Sequence, residues 1–490
     1  MGSAMQMQIK PVKLFIAGQW VEPAEGGSFP TINPATGQPL ASVAEAGERD
    51  ADAAVRAARQ AFEAGPWPEM SASERAKILW RIGDLIDQHN EDLGLLETAD
   101  NGKPIFESRQ VDMPMAAEVF RYYAGAATKI HGETVPVRGP FFHYTLREPV
   151  GVVAAIIPWN FPLLLASWKV APALAAGNTV VLKPAPWTPL TALRLAELSQ
   201  EAGLPPGVLN VITGSTRELG RALVLHRGVD KVAFTGSTAT GQEILRNSAD
   251  TLKRVSLELG GKSPNIVFAD ADLEAAARGA TVGIFYGKGE VCAAGSRLFV
   301  ERKIHDAFMD KLVERATKLR PADPLDPKTR LGALVSEPQM NKVLGYIEKG
   351  SAEGAKLVAG GRRAQVGNGQ GYFIEPTVFD GVSNDMTIAR EEIFGPVVAT
   401  IAFDDVEDAV RQANDNPYGL AAAVWTRDIG KAHRVARRIA AGTVWINTYN
   451  NYDPAAAFGG FKMSGFGRDL SAHAIDHYTE LKSVWVNLKD

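Results

Sequence analysis

The sequence predicts an α/β protein with doubly wound parallel sheets, and three observations support this fold class. Short β-branched runs alternate with helix-sized intervals through the middle of the chain, and a second alternating stretch starts after about residue 260. Strands that alternate with helices favour a parallel sheet covered on both faces. The length of 490 residues also exceeds what one hydrophobic core usually serves, so more than one domain is expected.

The first alternating stretch consists of short apolar runs, which is the composition of buried parallel strands. Strands are predicted over 151–157, 178–183, 208–212, 231–235 and 254–259. A helix is predicted to start after Thr188, because Pro189 suits a first turn, leucines recur at helical spacing, and Gly203 ends the pattern.

The second stretch has the same organisation. Its predicted helices cover 304–319 and 340–354, and its predicted strands cover 299–300, 397–403 and 443–447. The glycine-rich segment 360–371 is interpreted as a surface loop.

Polar and glycine-rich motifs follow the predicted strands, where doubly wound sheets bind ligands. "FTGSTATG" places Gly236 and Ser237 before a predicted helix, which suits either a bound phosphate or a plain strand-to-helix turn. In "PWNFP", the side-chain amide of Asn160 either donates a hydrogen bond to an oxyanion or forms an Asx turn. "LELGGK" ends a strand at Glu258, which is either a solvated carboxylate or a general base.

Cys292, in "EVCAAGS", is the only cysteine and stands among small residues. It is either a buried filler or a nucleophile. A single cysteine cannot form an internal disulfide, so a reducing compartment, the cytoplasm, is expected.

Composition argues against several classes of partner. The net charge is −4 and no long basic run occurs, so a nucleic-acid surface is not expected. No apolar run is long enough for a membrane span, and the opening "MGSAMQMQ" lacks the pattern of a secretory signal. The eight histidines show no ligand spacing, so no metal site is expected.

Seven motifs occur in the order found in the aldehyde dehydrogenase superfamily, which the chain resembles from about Phe15 to Trp485. They are "PWNFP", "KPAPWTP", "FTGST", "LELGGKSPNIVFADADL", "GEVCAAGSRLFV", "EEIFGPV" and "FGGFKMSGFGRD". The C-terminal block "GRDLSAHAIDHYTELKSVWVNL" resembles the γ-glutamyl-γ-aminobutyraldehyde dehydrogenase branch.

The resemblance implies two Rossmann-like domains and a small β bridging domain. The NAD(P)-binding domain would comprise 1–127 and 150–259, and the catalytic domain 260–463. Segments 128–149 and 464–490 would form the bridging, or oligomerisation, domain of a homodimer or homotetramer.

The resemblance also implies oxidation of an aldehyde to a carboxylic acid with NAD or NADP. Cys292 would be the nucleophile, and Asn160 would stabilise the oxyanion together with the Cys292 backbone amide. Glu258 would activate the water that hydrolyses the thioester. Lys169 and Asp469 resemble a proton-relay pair, although Asp469 is shorter than the more usual glutamate.

Further residues match the family's cofactor and substrate positions. Ile156, Trp159 and Lys183 would surround the adenosine half, Gly236 and Ser237 the pyrophosphate, and Glu392 and Phe394 the nicotinamide ribose. Phe161, Leu164, Trp168, Tyr452 and Phe458 would line the aldehyde entrance. These apolar and aromatic walls favour apolar, aromatic or amine-bearing aldehydes over dicarboxylate semialdehydes.

The chain departs from the family pattern at two places. Pro186 stands where many NAD-preferring relatives have glutamate, so NADP is expected to be tolerated through Lys183. Lys288 and Glu290 stand where many relatives have glutamine. Lys288 could lower the pKa of the thiol, but we expect it to point to solvent.

Two alternative functions remain. A CoA-acylating aldehyde dehydrogenase would lack the water-activating glutamate, and Glu258 is present. A non-catalytic binding or structural protein on this fold would be expected to lose Cys292, Asn160 or Glu258, and all three are present.

Overall fold

The computed structural model describes residues 12–489. The opening "MGSAMQMQ", for which the sequence predicts no secretory signal, lies outside the described residues.

Helices and strands alternate along most of the described chain. The α-helices, in chain order, are α1 Glu48–Glu63, α2 Pro66–Glu69, α3 Ala72–Gln88, α4 Asn90–Asn101, α5 Ile105–Glu107, α6 Met113–Ala127, α7 Pro162–Ala175, α8 Leu190–Glu201, α9 Arg217–Leu225, α10 Thr238–Ser248, α11 Leu273–Phe285, α12 His305–Lys318, α13 Glu337–Ala352, α14 Thr387–Arg390, α15 Val406–Asn414 and α16 Ile429–Arg438. The strands are β1 Leu14–Ile16, β2 Gln19–Val21, β3 Ser28–Asn33, β4 Gln38–Ala44, β5 Phe141–Pro149, β6 Val152–Ile156, β7 Thr179–Lys183, β8 Leu209–Val211, β9 Lys231–Thr235, β10 Arg254–Glu258, β11 Pro264–Val267, β12 Arg297–Glu301, β13 Lys356–Ala359, β14 Thr377–Asp380, β15 Val397–Phe403, β16 Tyr418–Gly419, β17 Ala421–Trp425, β18 Thr443–Ile446, β19 Phe461–Lys462, β20 Gly465–Phe466 and β21 Thr479–Asn487.

Two large sheets carry the fold. The first has the strand order β2-β1-β8-β7-β6-β9-β10-β20, and its strands from β8 to β10 are parallel. The second has the order β13-β14-β15-β12-β11-β17-β18 and is parallel except for β13. Strand β5 pairs with β21 in a separate antiparallel ribbon. The predicted class, two doubly wound sheets with a small β bridging region, is confirmed.

The predicted strands of the first sheet agree with the structure to within a residue at each end. In the second sheet, strands β11, β13, β14 and β17 were not predicted. Strand β17 consists mostly of alanine, which has no strand preference, and it becomes a strand because it is fully buried between β11 and β18. Helix α8 begins at Leu190, and Thr188 does not cap it; the Thr188 hydroxyl instead donates to the carbonyl oxygen of Trp159 at 3.2 Å.

The change from the first sheet to the second occurs between β10 and β11, around Gly260 and Gly261. Residues Gly465–Phe466, within the segment 464–490 expected to belong to the bridging domain, pair with β10 at the edge of the first sheet. In segment 128–149 the strand begins only at Phe141.

Candidate active site

A cavity of about 220 Å³ lies between the two sheets. It brings together Cys292, Glu258 and Asp469 with the five predicted substrate positions. Its walls are formed by Val111, Asp112, Met115, Phe161, Leu164, Leu165, Trp168, Thr235, Glu258, Val282, Tyr286, Val291, Cys292, Tyr449, Asn450, Tyr452, Phe458 and Asp469.

Cys292 lies in the turn that leads into β12 and is partly exposed. Burial, together with the negative charges of Glu392 and Glu258, raises the pKa of its thiol to about 12. The thiol is therefore protonated at neutral pH, and a base must remove its proton before it can act as a nucleophile. The backbone of Cys292 is approached so closely by Gly261 that a Cβ there would lie 2.4 Å from the Cys292 carbonyl oxygen.

Glu258 ends β10 and is only 5% exposed, so it is not a solvated carboxylate. Within residues 12–489 its Oε2 has no hydrogen-bond partner. Burial, and next the negative charge of Asp469, raise the pKa of Glu258 well above its usual range. A buried carboxyl with an unpaired oxygen in the same cavity as a thiol has the properties of a general base.

Asn160 lies between β6 and α7, on the loop whose prolines restrict the backbone. Its Nδ2 donates to the carbonyl oxygen of Glu290 at 2.9 Å, which leaves one N–H of that amide. Its Oδ1 accepts no hydrogen bond from the part of the chain described, so the alternative Asx turn does not form. Asn160 is buried but is not among the residues that line the cavity.

Lys169 and Asp469 form a buried ion pair, with 2.5 Å between Nζ and Oδ2. Asp469 lines the cavity, whereas Lys169 is fully buried behind it. Lys231, which sequence reasoning did not identify, is buried nearby. Burial and the charge of Lys169 lower the pKa of Lys231 to about 7, and its Nζ donates to Ser256 Oγ at 2.9 Å.

A second cavity, of about 300 Å³, lies at the carboxyl end of the first sheet and includes Ile156 and Lys183. Burial lowers the pKa of Lys183 to about 8, and its one hydrogen bond within the described chain is a long contact of 3.4 Å to the Pro184 carbonyl oxygen. Pro186 also lines this cavity, together with Arg217 and Arg221 of α9, which sequence reasoning did not identify. A buried, weakly bonded ammonium beside two arginines suits a ligand that carries phosphate, so the residues fit a dinucleotide.

Gly236 and Ser237 lie where β9 leads into α10. Ser237 is the N-cap of α10, and its Oγ accepts from the backbone N–H of Thr240 at 3.2 Å. A Cβ at Gly236 would lie 2.4 Å from the ring of Phe234, so a side chain there would require the ring to move. The turn and the anion-site interpretations are compatible, because a helix start leaves backbone N–H groups without partners inside the helix.

Trp159, Glu392 and Phe394 line neither of these two cavities. The rings of Trp159 and Phe394 meet edge to face at a centroid distance of 5.1 Å. Phe394 has a left-handed backbone, with φ of 61°, and Gln339 Nε2 donates to its carbonyl oxygen at 2.7 Å. Glu392 Oε1 accepts from the backbone N–H of Gly261 at 2.9 Å. A bulky residue held at positive φ by such contacts is typical of a functional site.

Aromatic rings form much of the wall opposite Cys292. Phe458 packs against Trp168 at 5.4 Å and against Tyr452 at 5.6 Å between ring centroids, and Phe161 stacks on Tyr286 at 6.2 Å. The wall also contains Asp112, which sequence reasoning did not identify. Lys103 Nζ lies 2.5 Å from Asp112 Oδ2 and 3.2 Å from Glu97 Oε1, so two buried carboxylates share this ammonium.

Lys288 does not point to solvent, contrary to the expectation from the sequence. Its side chain is 2% exposed, and its Nζ lies 2.8 Å from Glu290 Oε2. The turn at Gly287 and Lys288 directs the side chain inwards, where acceptors are available to it.

No group of histidine, cysteine, aspartate and glutamate within residues 12–489 could hold a metal ion. None of the helices in this range combines the length and apolar character that crossing a membrane requires.

Comparison with known proteins assigns the family. The sequence profile of the "Aldehyde dehydrogenase family" matches residues 20–484. The chain is 51% identical over 478 residues to "Putative aldehyde dehydrogenase DhaS" of Bacillus subtilis, covering 98% of this chain and 96% of that protein. It is 49% identical to the mitochondrial aldehyde dehydrogenase of Homo sapiens, with 97% and 92% covered.

A solved structure agrees with the sequence comparison. The NAD+ complex of aldehyde dehydrogenase from Bacillus cereus superimposes with a TM-score of 0.96 and is 53% identical, covering 98% of this chain and 97% of that one. The chain belongs to the aldehyde dehydrogenase family and is an NAD(P)-dependent oxidoreductase that acts on aldehydes.

Proposed function

We propose that this enzyme oxidises an aldehyde to the carboxylic acid through a thioester on Cys292, which Glu258 then helps to hydrolyse. The observation that carries the proposal is that a partly exposed thiol and a buried, unpaired carboxyl oxygen of Glu258 line one cavity with largely apolar walls. A water-poor cavity strengthens the electrostatic effects on both groups.

The first chemical step is the attack of Cys292 on the aldehyde. Glu258 accepts the thiol proton, and the thiolate bonds to the carbonyl carbon. The free N–H of the Asn160 amide and the backbone N–H of Cys292 donate to the developing oxyanion. When bound, the oxidised nicotinamide supplies the acceptor for the hydride that leaves the hemithioacetal as the thioester forms.

The second step is hydrolysis. After Glu258 has released the proton it took from the thiol, it accepts a proton from water, whose oxygen bonds to the thioester carbon. The carbon–sulfur bond then breaks, so that Cys292 leaves as the thiolate, which regains a proton from Glu258, and the carboxylic acid forms. Asp469 lies in the same cavity and pairs with buried Lys169, so we propose that this pair takes the proton from Glu258 outwards.

For the cofactor, we propose that NADP is tolerated beside NAD. Ile156, Trp159 and Lys183 would surround the adenosine half, Gly236 and Ser237 the pyrophosphate, and Glu392 and Phe394 the nicotinamide ribose. Lys183, Arg217 and Arg221 put three cationic side chains on the adenosine cavity. Pro186, on the same wall, has no carboxylate to repel a 2′-phosphate.

For the substrate, we propose apolar, aromatic or amine-bearing aldehydes. The aromatic wall supports the first two classes, and it could also hold a cation by contact with the ring faces. Asp112 adds little negative charge to the cavity, because burial raises its pKa to about 8 and Lys103 lies beside it. A P. syringae indole-3-acetaldehyde dehydrogenase, solved as a mutant with NAD+ and IAA, is 50% identical and superimposes with a TM-score of 0.97, covering 99% of this chain and 98% of that one.

We propose a homodimer or homotetramer, joined through the ribbon of β5 and β21, in the cytoplasm. Leu481 and Trp485 of β21 are 64% and 57% exposed, and exposed apolar strands pair readily with another chain. The single cysteine, which must stay reduced to act as a nucleophile, supports a reducing compartment.

The central test is NADH formation at 340 nm with aliphatic, aromatic and amino aldehydes. The resemblance of the C-terminal block puts γ-aminobutyraldehyde derivatives into this panel. Cys292→Ala should abolish product formation with every aldehyde, and full activity of this variant would refute the mechanism. Glu258→Gln should give a burst of NADH followed by slow turnover, because hydrolysis loses its base. Unchanged steady-state turnover would remove Glu258 from hydrolysis.

A further inference from the structure

The turn before Cys292 contains an unusual lysine. Gly287, Lys288 and Gly289 have φ values of 56°, 63° and 73°, so three successive residues adopt the left-handed conformation. Glycine adopts this conformation freely, whereas it is costly for lysine. A lysine that persists there needs compensating contacts from its surroundings.

The side chain of Lys288 supplies those contacts inside the protein. Its Nζ donates to Asn101 Oδ1 at 2.7 Å and to the Asn101 carbonyl oxygen at 3.0 Å, and it lies 2.8 Å from Glu290 Oε2. Glu290 Oε1 accepts from the backbone N–H of Val335 at 3.0 Å. Lys288, Glu290 and Asn101 are all buried, so the two charges compensate each other away from water.

Both partners of Lys288 also bind the loop that carries Asn160. The carbonyl oxygen of Glu290 accepts from Asn160 Nδ2 at 2.9 Å. Asn101 Nδ2 donates to the carbonyl oxygen of Trp159, the residue before Asn160, at 2.7 Å. The contacts form a closed chain that runs from Lys288 through Glu290 to the Asn160 side chain, and back through Trp159 and Asn101.

We propose that Lys288 and Glu290 are positioning residues, which together hold the Asn160 amide in the orientation that receives the carbonyl oxygen of the aldehyde. The inference rests on the proposed role of Asn160 in the oxidation. Lys288 and Glu290 both stand where many relatives have glutamine. The inference gives these two residues one shared role, because each buried charge is compensated by the other. Lys288 does not activate the thiol directly: the pKa of Cys292 is raised, by burial and by Glu392 and Glu258.

The test is a set of variants made both in the natural chain and in an Asn160→Ala background. Lys288→Gln or Glu290→Gln alone leaves a buried charge without its partner and should lower kcat about tenfold or more, with little change in KM, by displacing the donor amide. The double variant Lys288→Gln/Glu290→Gln removes both charges and should recover most of that loss. In the Asn160→Ala background the same single substitutions should lower kcat further by less than about twofold, because the group they position is absent.

Controls separate positioning from folding. Lys431→Gln breaks a contact of 2.9 Å between Lys431 Nζ and Asp270 Oδ1 far from the cavity, and it should leave kcat within about twofold. Thermal melting and NAD+ binding are measured for every variant. If one single variant does not fold, the other single variant carries the comparison between the two backgrounds, because each leaves one buried charge without its partner.

The possible results distinguish a failure of the positioning role from a failure of the proposed oxyanion role of Asn160. Losses that multiply in full with Asn160→Ala, or single variants with unchanged kcat, would overturn the positioning role while leaving the oxidation mechanism intact. If Asn160→Ala by itself keeps the natural kcat, the oxyanion role of Asn160 fails, and the inference fails with it. An effect on melting temperature without an effect on kcat would show a purely structural pair.

Discussion

At the scale of single residues, the environment of Glu258 determines what this carboxyl can do. Its side chain is buried, and its pKa is raised by that burial and then by the negative charge of Asp469, whereas Lys169 acts in the opposite direction. Only the deprotonated form accepts a proton from the thiol or from water. Activity should therefore rise with pH through the pKa of Glu258.

Asp469→Asn should move this rising limb of the kcat profile to lower pH. The substitution removes a negative charge that raises the pKa of Glu258 and frees the positive charge of Lys169, and both changes favour the ionised carboxylate. The buried Lys169 loses its partner, so the free energy of unfolding should fall by about 3–5 kcal/mol.

The measurements are kcat against pH and thermal melting. Asp306→Asn, at an exposed aspartate, is the matched control and should change neither quantity appreciably. If the rising limb of the kcat profile lies at the same pH in Asp469→Asn as in the natural chain, Asp469 does not set the pKa of the catalytic base.

At the scale of elements, cofactor choice depends on the loop after β7 and on α9. Lys183 ends β7, Pro186 follows on the loop, and Arg217 and Arg221 lie on one face of α9, at i and i+4. These elements meet at one cavity, so a change of charge on the loop should alter the preference between NAD and NADP without altering the chemistry at Cys292.

Pro186→Glu should lower kcat/KM for NADP at least about tenfold relative to NAD, since a carboxylate there would repel a 2′-phosphate and pair with the cations that hold it. Pro186→Ala is the control, because it removes the ring without adding charge, and it should leave the ratio nearly unchanged. In the natural chain, a preference for NAD above about 100-fold, roughly 2.7 kcal/mol, would refute the expected tolerance of NADP.

At the scale of the whole molecule, the ribbon of β5 and β21 stands apart from both large sheets and carries exposed apolar side chains. Leu481→Glu should shift the assembly towards smaller species, because it places a charge where an apolar contact with another chain is expected. Light scattering after size-exclusion chromatography measures the mass.

Leu252→Glu is the matched control for this change. Leu252 is an exposed leucine outside the ribbon, 90% exposed against 64% for Leu481, and its substitution should leave the mass unaltered. A natural chain that is monomeric, or an unchanged mass for Leu481→Glu, would contradict assembly through the ribbon.

The sequence by itself determined the fold class and the positions of the parallel strands at the centre of the first sheet. Short β-branched runs such as 179–183 and 231–235 carry their preference locally, and their turns are marked by proline and glycine. The motifs that resemble the family also identified Cys292, Glu258 and Asn160 as candidates. Alanine-rich β17 escaped prediction because its strand conformation comes from its neighbours in the sheet.

Only the tertiary structure decided the pKa values of Cys292 and Glu258 and the direction of the Lys288 side chain. The pKa of Cys292 or Glu258 depends on burial and on charges distant along the chain, such as Glu392 and Asp469. The inward direction of Lys288 depends on acceptors supplied by Asn101 and Glu290. Local sequence carries no record of such contacts, because they exist only after the two sheets have been brought together.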